Sequence, residues 1–467
     1  MISAPEPSPT GTVPTPTSFD WPLANDAEAF LRSRIESFLV QNTFARRLAE
    51  RMRDETGTDF FEWVDHLALS PNDESALAAV GFVRDAQAET PNGEVVYEHP
   101  KAILPRVLLS TSMPRVAVRP EFVADFIASH SLTTEPEGEP CSRYRRVLVS
   151  EEGGTRLEAV ERRAYRGFVP AALKAGELSS IVKARELWRT RPRVCATEAE
   201  GFDIARKILE RVVGLVGRDL ACQFFFEAER IYWESRNRAA RIQKHRQDRL
   251  GLGWGNHDHH TFRSSRECFV DLVDFLLRLG FVKRERYYAG AEAGWGAQVS
   301  EQPVVGIVVF SDVDLMPEET QVDFTTHRLP PAKRLGTVGL WVGLHGESFL
   351  QAGMHHLEAR FDFDLLRDHL KACGVNTMNP FSDFPFLRQA FTEGERWPVC
   401  RQRADRLFAA GLITGEQRDK FLREGALGSH LENLQRHGGF KGFNQKAVSV
   451  VITATDPRKS HFAPAGA

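Results

Sequence analysis

Apolar positions along the chain fall into two rhythms, one near helical spacing and one of strict alternation, and together they predict an α+β protein. From Ala24 to about Thr56, Phe30, Ile35, Phe38 and Leu39, then Phe44, Leu48 and Met52, predict two helices. Phe60 to Ser70 reads as a strand. A helix follows it and stops at Gly81, a residue type free to take positive φ. Leu157 to Leu250 reads as helical, with Ile204, Ile208, Val212 and Leu215 on one stripe and the Phe224–Phe226 cluster as core rather than a cofactor box. Asn256 to Arg263 reads as a strand, Asn376 to about Gln435 as further helices, Gly438 to Asn444 as a loop and Ala447 to Thr455 as a strand.

Part of this pattern occurs twice. Asp65-His66 matches Asp258-His259, each at the start of a strand whose following helix closes on Gly81-Phe82-Val83-Arg84 or Gly280-Phe281-Val282-Lys283. Val96 to Pro100 then parallels Val299 to Pro303, Arg106 to Ser110 parallels Ile307 to Ser311, and Val116 to Phe122 parallels Leu357 to Phe363. Matches in the same order predict two copies of a βαβββ module, the second carrying an insertion over roughly Asp312 to His355. The expected organisation is a disordered Pro-, Ser- and Thr-rich tail (1–22), N-terminal helices (23–57), a first module (58–150), a helical connector (151–250), a second module (251–372) and a helical C-terminal region with a final strand (373–467).

Composition changes this picture only by exclusion. At 467 residues, 42% hydrophobic and 26% charged, the chain is expected to be globular and soluble. No apolar run of about 18 residues or basic-then-apolar N-terminus stands in the sequence, so no membrane span or secretory signal is expected and a cytoplasmic location is the default. Six cysteines without a CxxC pair argue against a disulfide framework and a thiolate zinc site, leaving nitrogen and oxygen as ligands. A formal net charge of −3 gives no bias towards nucleic acid, and the basic run Arg236 to Arg249 reads as a solvated helix. Oligomeric state is left open.

The candidate chemistry lies on Asn256 to Arg263. Strand alternation puts His257, His259, Thr261 and Arg263 on one face, and Asp258, His260 and Phe262 on the other. Neutral imidazole is the commonest protein ligand for a catalytic transition metal, and a guanidinium can hold a carboxylate through paired hydrogen bonds. A satisfied structural histidine cluster would carry the same pattern.

Paired βαβββ modules resemble the vicinal oxygen chelate superfamily, whose sheets curl around a shared metal site. The resemblance implies ligands on the first and last strands of a module: His66 and His259 as first-strand imidazoles, and Glu358 as last-strand carboxylate. Ala117, the counterpart of Glu358, cannot bind a metal. Two imidazoles and one carboxylate form the facial triad of non-haem Fe(II) oxygenases, which leaves three positions open. His259-His260-Thr261-Phe262-Arg263 is similar to the H-x-x-x-R signature of the 2-oxoadipate dioxygenase/decarboxylase (hydroxyglutarate synthase) family. That likeness implies an Fe(II)-dependent dioxygenase that oxidatively decarboxylates and hydroxylates a 2-oxo acid or related small carboxylate with O2, Arg263 clamping the carboxylate. On this reading His257 is a further catalytic candidate, Lys441 and Asn444 are candidates for closing over substrate, and His260, Asp65 and Asp258 are structural. Glu158 and Glu161 are alternative carboxylate ligands, although a charged helix face explains them equally well. Competing expectations are extradiol cleavage or glyoxalase-type isomerisation on the same fold, and a small-molecule binding protein without catalysis.

Overall fold

A computed structural model describes residues 20–291, 293–445 and 455–458. Helix α1 (Asn25–Gln41) and α2 (Thr43–Arg51), the second started by Asn42 accepting the Ala45 N–H at 2.9 Å, lead into a first mixed sheet. Its strands follow as β1 (Val64–Leu69), helix α3 (Glu74–Ala79), β2 (Val83–Asp85), β3 (Val95–Glu98) and β4 (Arg106–Leu109), then β5 (Arg115–Val118), helix α4 (Val123–Ser129), β6 (Tyr144–Glu152) and β7 (Thr155–Arg162). Their spatial order is β2-β3-β4-β1-β5-β7-β6. Four helices, α5 (Glu177–Arg189), α6 (Glu198–Val216), α7 (Arg218–Ser235) and α8 (Arg238–Asp248), connect to the second sheet.

That sheet begins with β8 (His257–Arg263), helix α9 (Phe269–Arg278), β9 (Val282–Tyr288), β10 (Trp295–Gln302) and β11 (Ile307–Asp314). After helix α10 (Thr337–His345) come β12 (His356–Arg360), helix α11 (Phe363–Ala372), β13 (Ser382–Phe384) and β14 (Leu387–Phe391). A small ribbon of β15 (Arg396–Trp397) and β16 (Ala426–Leu427) precedes β17 (His430–Arg436). The order is β13-β14-β17-β12-β8-β11-β10-β9. Each sheet thus holds a strand, a helix and three strands on one side of its central pair, answered by a second strand-helix-strand set on the other.

Both sheets bury one face under helices. Leu67, Leu69, Val107 and Val116 pack with Leu31, Ile35 and Phe38, and Phe262, Val309, Leu357 and Leu431 pack with Trp188, Phe226 and Phe275. Each fully buried side chain of this size contributes about 1.5–3 kcal/mol. Alternation then forces the intervening residues onto the opposite face of each sheet, where polar groups gather. Gly81 and Gly280 stand just beyond the helices α3 and α9 at φ +90° and +91°, a conformation in which a Cβ would be strained.

The structure departs from the sequence pattern in three places. Phe60–Trp63 is a 3-10 turn begun by Asp59, so the first strand starts only at Val64. Thr155–Arg162, expected in part as helix, is a strand held between β5 and β6. The region from residue 376, expected to be helical, supplies β13, β14 and β17 as well as two helices, because pairing across a sheet overrides local propensity. The strand expected over Ala447 to Thr455 lies, except for Thr455, outside the described residues. Among the described residues no helix is long and apolar enough to cross a membrane.

Candidate metal centre

The site begins with a β-bulge. On β12, Glu358 faces His259 and Ala359 faces His257, so Asp258 is an extra residue with no partner. The extra residue reverses the alternation expected at the start of the strand. His257 therefore shares the helix-covered side with His260, ring centroids 5.5 Å apart, with its Nδ1 2.9 Å from the Trp254 carbonyl. Burial, with help from Arg230 and Arg119, lowers His257 to about 3. Asp258, expected to point away, lies instead beside His259, 3.4 Å from Nδ1, and receives Arg436 at 3.2 and 2.9 Å. The same bulge occurs in the first sheet at Asp65, which contacts His66 Nδ1 at 2.7 Å and Arg162 at 2.7 and 2.8 Å.

Beyond the bulge the alternation is regular, and four donors converge. His259 projects from β8, His356 and Glu358 are two apart on β12, and Glu432 lies directly across from Glu358 on the parallel strand β17. His259 Nε2 is 2.8 Å from Glu358 Oε2, and His356 Nε2 is 3.0 Å from Glu432 Oε2. The Nε2 amide of Gln389 donates to Glu358 at 3.2 Å and to Glu432 at 3.2 Å. One donor atom each from His259, His356 and Glu432 lies within 4.8 Å of the others, as does one each from Asp258, His259 and Glu358.

The electrostatics of this cluster fit a cation. Burial, and then the Glu358 carboxylate beside it, push Glu432 well above the ordinary carboxylate range, the mutual repulsion of two acids buried side by side that a cation would relieve. Burial and the charged His259 hold His356 well below its usual range, leaving a neutral imidazole with a lone pair to offer. Burial would lower His259 as well, but Glu358 and Asp258 outweigh it and raise it to about 9. Nitrogen and carboxylate donors in this ratio suit a first-row divalent ion such as iron, manganese or zinc.

His66 does not join them. It sits in the first sheet with its ring 4.9 Å from Phe168, and neither group of candidate donors among the described residues includes it. Strand register explains why. Ala117 faces His66 as Glu358 faces His259, and Glu158 faces Ala117 as Glu432 faces Glu358. Arg115, two before Ala117, takes the place that His356 has in the second sheet, lying 2.7 Å from Glu94 and 3.8 Å from Glu158. A guanidinium there repels a cation, so the first sheet holds a position-by-position counterpart without the ligands. Glu161 is turned to the other side of β7, accepting the Val123 N–H at 3.0 Å and pairing with Arg163.

Sequence reasoning missed His356 and Glu432 as donors. Two signals were present: His356-x-Glu358 on one strand puts two donors on one face, and Leu157-Glu158-x-x-x-Arg162 repeats as Leu431-Glu432-x-x-x-Arg436.

A cavity of about 90 Å³ adjoins the cluster, lined by His259, His356, Glu358, Glu432 and aromatic rings that include Phe310, Phe391 and Trp295. Arg263 enters it from β8, only 4% exposed. Its Nη2 donates to Thr455 Oγ1 at 2.9 Å, while Nε and Nη1 have no partner among the described residues. Burial brings Arg263 down to about 10 against the raising influence of Asp312 and Asp314. Burial lifts Asp312, which also lines the cavity, to about 7. Asn444 borders the cavity with its Nδ2 3.4 Å from the Phe381 carbonyl, whereas Lys441 is turned away into a neighbouring cleft and pairs with Glu301 at 2.9 Å.

No protein-family model matches the chain, and no curated protein matches it. Solved structures similar to it include a triple variant of 4-hydroxymandelate synthase from Streptomyces coelicolor, 13% identical with TM-score 0.28 over 85% of this chain and 98% of that one. Methylmalonyl-CoA epimerase from Mycobacterium tuberculosis is 12% identical with TM-score 0.23, covering 39% and 88%. A xylose isomerase-like TIM barrel/4-hydroxyphenylpyruvate dioxygenase fusion protein is 11% identical with TM-score 0.23, covering 86% and 52%. Likenesses of this size assign no activity.

Proposed function

We propose that the chain is a non-haem Fe(II)-dependent oxygenase acting on a small 2-oxo acid or related carboxylate, with His259, His356 and Glu432 as its metal ligands. The observation that carries this reading is the meeting, around one buried cavity, of two imidazoles, a carboxylate and an Arg263 guanidinium with unused donors. Bound there by one face, Fe(II) would supply O2 activation beside a chelating substrate.

The chain's own groups have separate tasks. Arg263 holds the substrate carboxylate through its free Nε and Nη1 donors, fixing the position of the reacting end. The aromatic walls exclude water, which strengthens that charge pair. Asp312, facing the same space and poised near neutrality, can hold or release a proton at its carboxyl oxygen. Glu358 and Gln389 orient the ligands, Gln389 by donating to both acids.

One observation favours a second reading. Glu358 is as close to His259 as Glu432 is to His356, and four protein ligands would suit the isomerisation or epimerisation chemistry of related folds better than O2 activation. Oxygen uptake separates the two. Under the proposed reading the purified protein binds one Fe(II) per chain and consumes O2 with a 2-oxo acid, and His356→Ala or Glu432→Ala abolishes both. Turnover without O2, or full activity in either variant, overturns it.

A further inference from the structure

A roomier cavity than the one beside the metal donors lies between the sheets. A cleft of about 440 Å³ runs between the two sheets, with β4, Arg119 just after β5 and the turn before β1 on one side and β8, β11 and the Lys441-Gly442 loop on the other. Its volume is that of a small-molecule site. It touches the metal-centre cavity only through the shared residues His259 and Phe310.

The wall of this cleft carries more positive than negative charge, and the surplus can be located. Each carboxylate on it already has its own cation. Asp65 is held by Arg162 at 2.7 Å, Asp258 by Arg436 at 2.9 Å, Glu62 by Arg360 at 3.3 Å, Glu301 by Lys441 at 2.9 Å, and Glu98 by Arg166. Arg284 is engaged by Glu285 at 2.6 Å. Two guanidinium groups are left over, Arg106 and Arg119, and neither has a carboxylate partner among the described residues.

Their placement is a consequence of the sheet. Arg106 on β4 and Ala117 on β5 both stand beside His66 in register, so their side chains leave the sheet on the same side, and Arg119 follows two residues after Ala117. Arg106 is braced by the Phe168 ring at 4.4 Å and by a hydrogen bond from its Nη1 to the Arg166 carbonyl at 2.6 Å, which leaves the rest of the fork to the cleft. Arg119 is anchored by its backbone N–H to the Trp63 carbonyl at 2.7 Å, with no side-chain hydrogen bond among the described residues. Burial lowers both guanidinium groups, Arg106 to about 9; Asp65 opposes this from beyond ion-pair distance, and Arg162, which already holds Asp65, adds to the lowering. Unpaired cations sunk in a cleft are costly, and an anion that brings two negative charges relieves both at once.

We propose that this inter-sheet cleft is a second binding site, for a small dianion of the phosphate or dicarboxylate class, with Arg106 and Arg119 as its two anchors. The proposal needs no metal and stands whether or not the oxygenase reading holds. Calorimetric titration of the full chain with inorganic phosphate, with succinate and with acetate tests it. Saturable binding of phosphate or succinate is expected, with acetate at least tenfold weaker, and the tighter of the two dianions identifies the source. Arg106→Gln and Arg119→Gln each weaken the preferred dianion at least tenfold and together abolish its binding at this site, while Arg278→Gln, an exposed arginine of α9 outside both cavities, leaves it unchanged. Arg106→Lys and Arg119→Lys keep the charge and the fold and bind within about tenfold, so loss in the Gln variants is not misfolding. Absence of dianion binding by the intact chain, affinity unchanged in the double Gln variant, or binding lost in Arg278→Gln would overturn the assignment.

Discussion

Replacing Arg263 by Met should move stability and ligand binding in opposite directions. The guanidinium is 4% exposed, spends one donor on Thr455, lies 5.7 Å over the Trp341 ring and leaves Nε and Nη1 unused. Burial brings it from its ordinary value down to about 10. At ~1.4 kcal/mol per tenfold change, keeping that charge in place costs the ligand-free protein about 3 kcal/mol. Met has a similar length and no charge to desolvate, so it removes this cost while losing one hydrogen bond of about 1 kcal/mol and some ring contact. The net expectation is a ligand-free protein up to about 2 kcal/mol more stable, read as a raised urea midpoint with unchanged slope. A carboxylate ligand loses its charged, two-pronged partner, which costs about 2–4 kcal/mol, a weakening of roughly 30- to 1000-fold in Kd or KM. Arg263→Lys falls between the two, because it keeps charge without the fork. An Arg263→Met protein that is markedly less stable, or that binds the carboxylate as tightly as its parent, refutes the idea that this side chain is held ready for an anion.

Removing His356 or Glu432 is expected to empty the metal centre, whereas His66→Ala keeps one metal per chain by elemental analysis, since His66 sits in the other sheet. Gln389→Leu leaves Glu358 and Glu432 facing each other without their shared donor, so metal affinity falls by about 10–100-fold in a chelator competition. Loading the divalent ion at neutral pH displaces protons from Glu432 and His259, so calorimetry in buffers of different ionisation enthalpy reads proton release, and affinity rises with pH. Burial alone would raise Glu28, but His437, Arg32 and the Gly439 N–H bring it down to about 2. Its stabilisation is complete above the unfolded value of about 4.3 and fades as pH falls towards 2; Glu28→Gln removes about 1–2 kcal/mol of that acid dependence in urea melts.

Local signals in the sequence carried the doubled architecture, His259, Arg263 and the pairing of Glu358 with Ala117. The two closing glycines and the Asp-His pairs mark strand-helix units that any chain burying one sheet face must build. What stayed hidden depends on partners far away in sequence. A bulge is invisible in a run such as His257-Asp258-His259 until the neighbouring strand fixes the register, so plain alternation puts His257 and Asp258 on each other's faces. Leu431 and Leu434 on β17 read equally as a helical stripe, and only the presence of β12 and β14 on either side makes Glu432 a strand residue facing Glu358.

The position of β17 also dictates when the centre can exist. Its neighbours β12 and β14 are complete by residue 391, yet the strand that must slot between them is not made until residues 430–436, after the ribbon and two helices. A nascent chain therefore carries two imidazoles and one acid for some forty residues with a gap in the sheet beside them. On the proposed reading, an ion could be held only once β17 seats itself, and a polypeptide terminated before residue 430 is expected not to retain it.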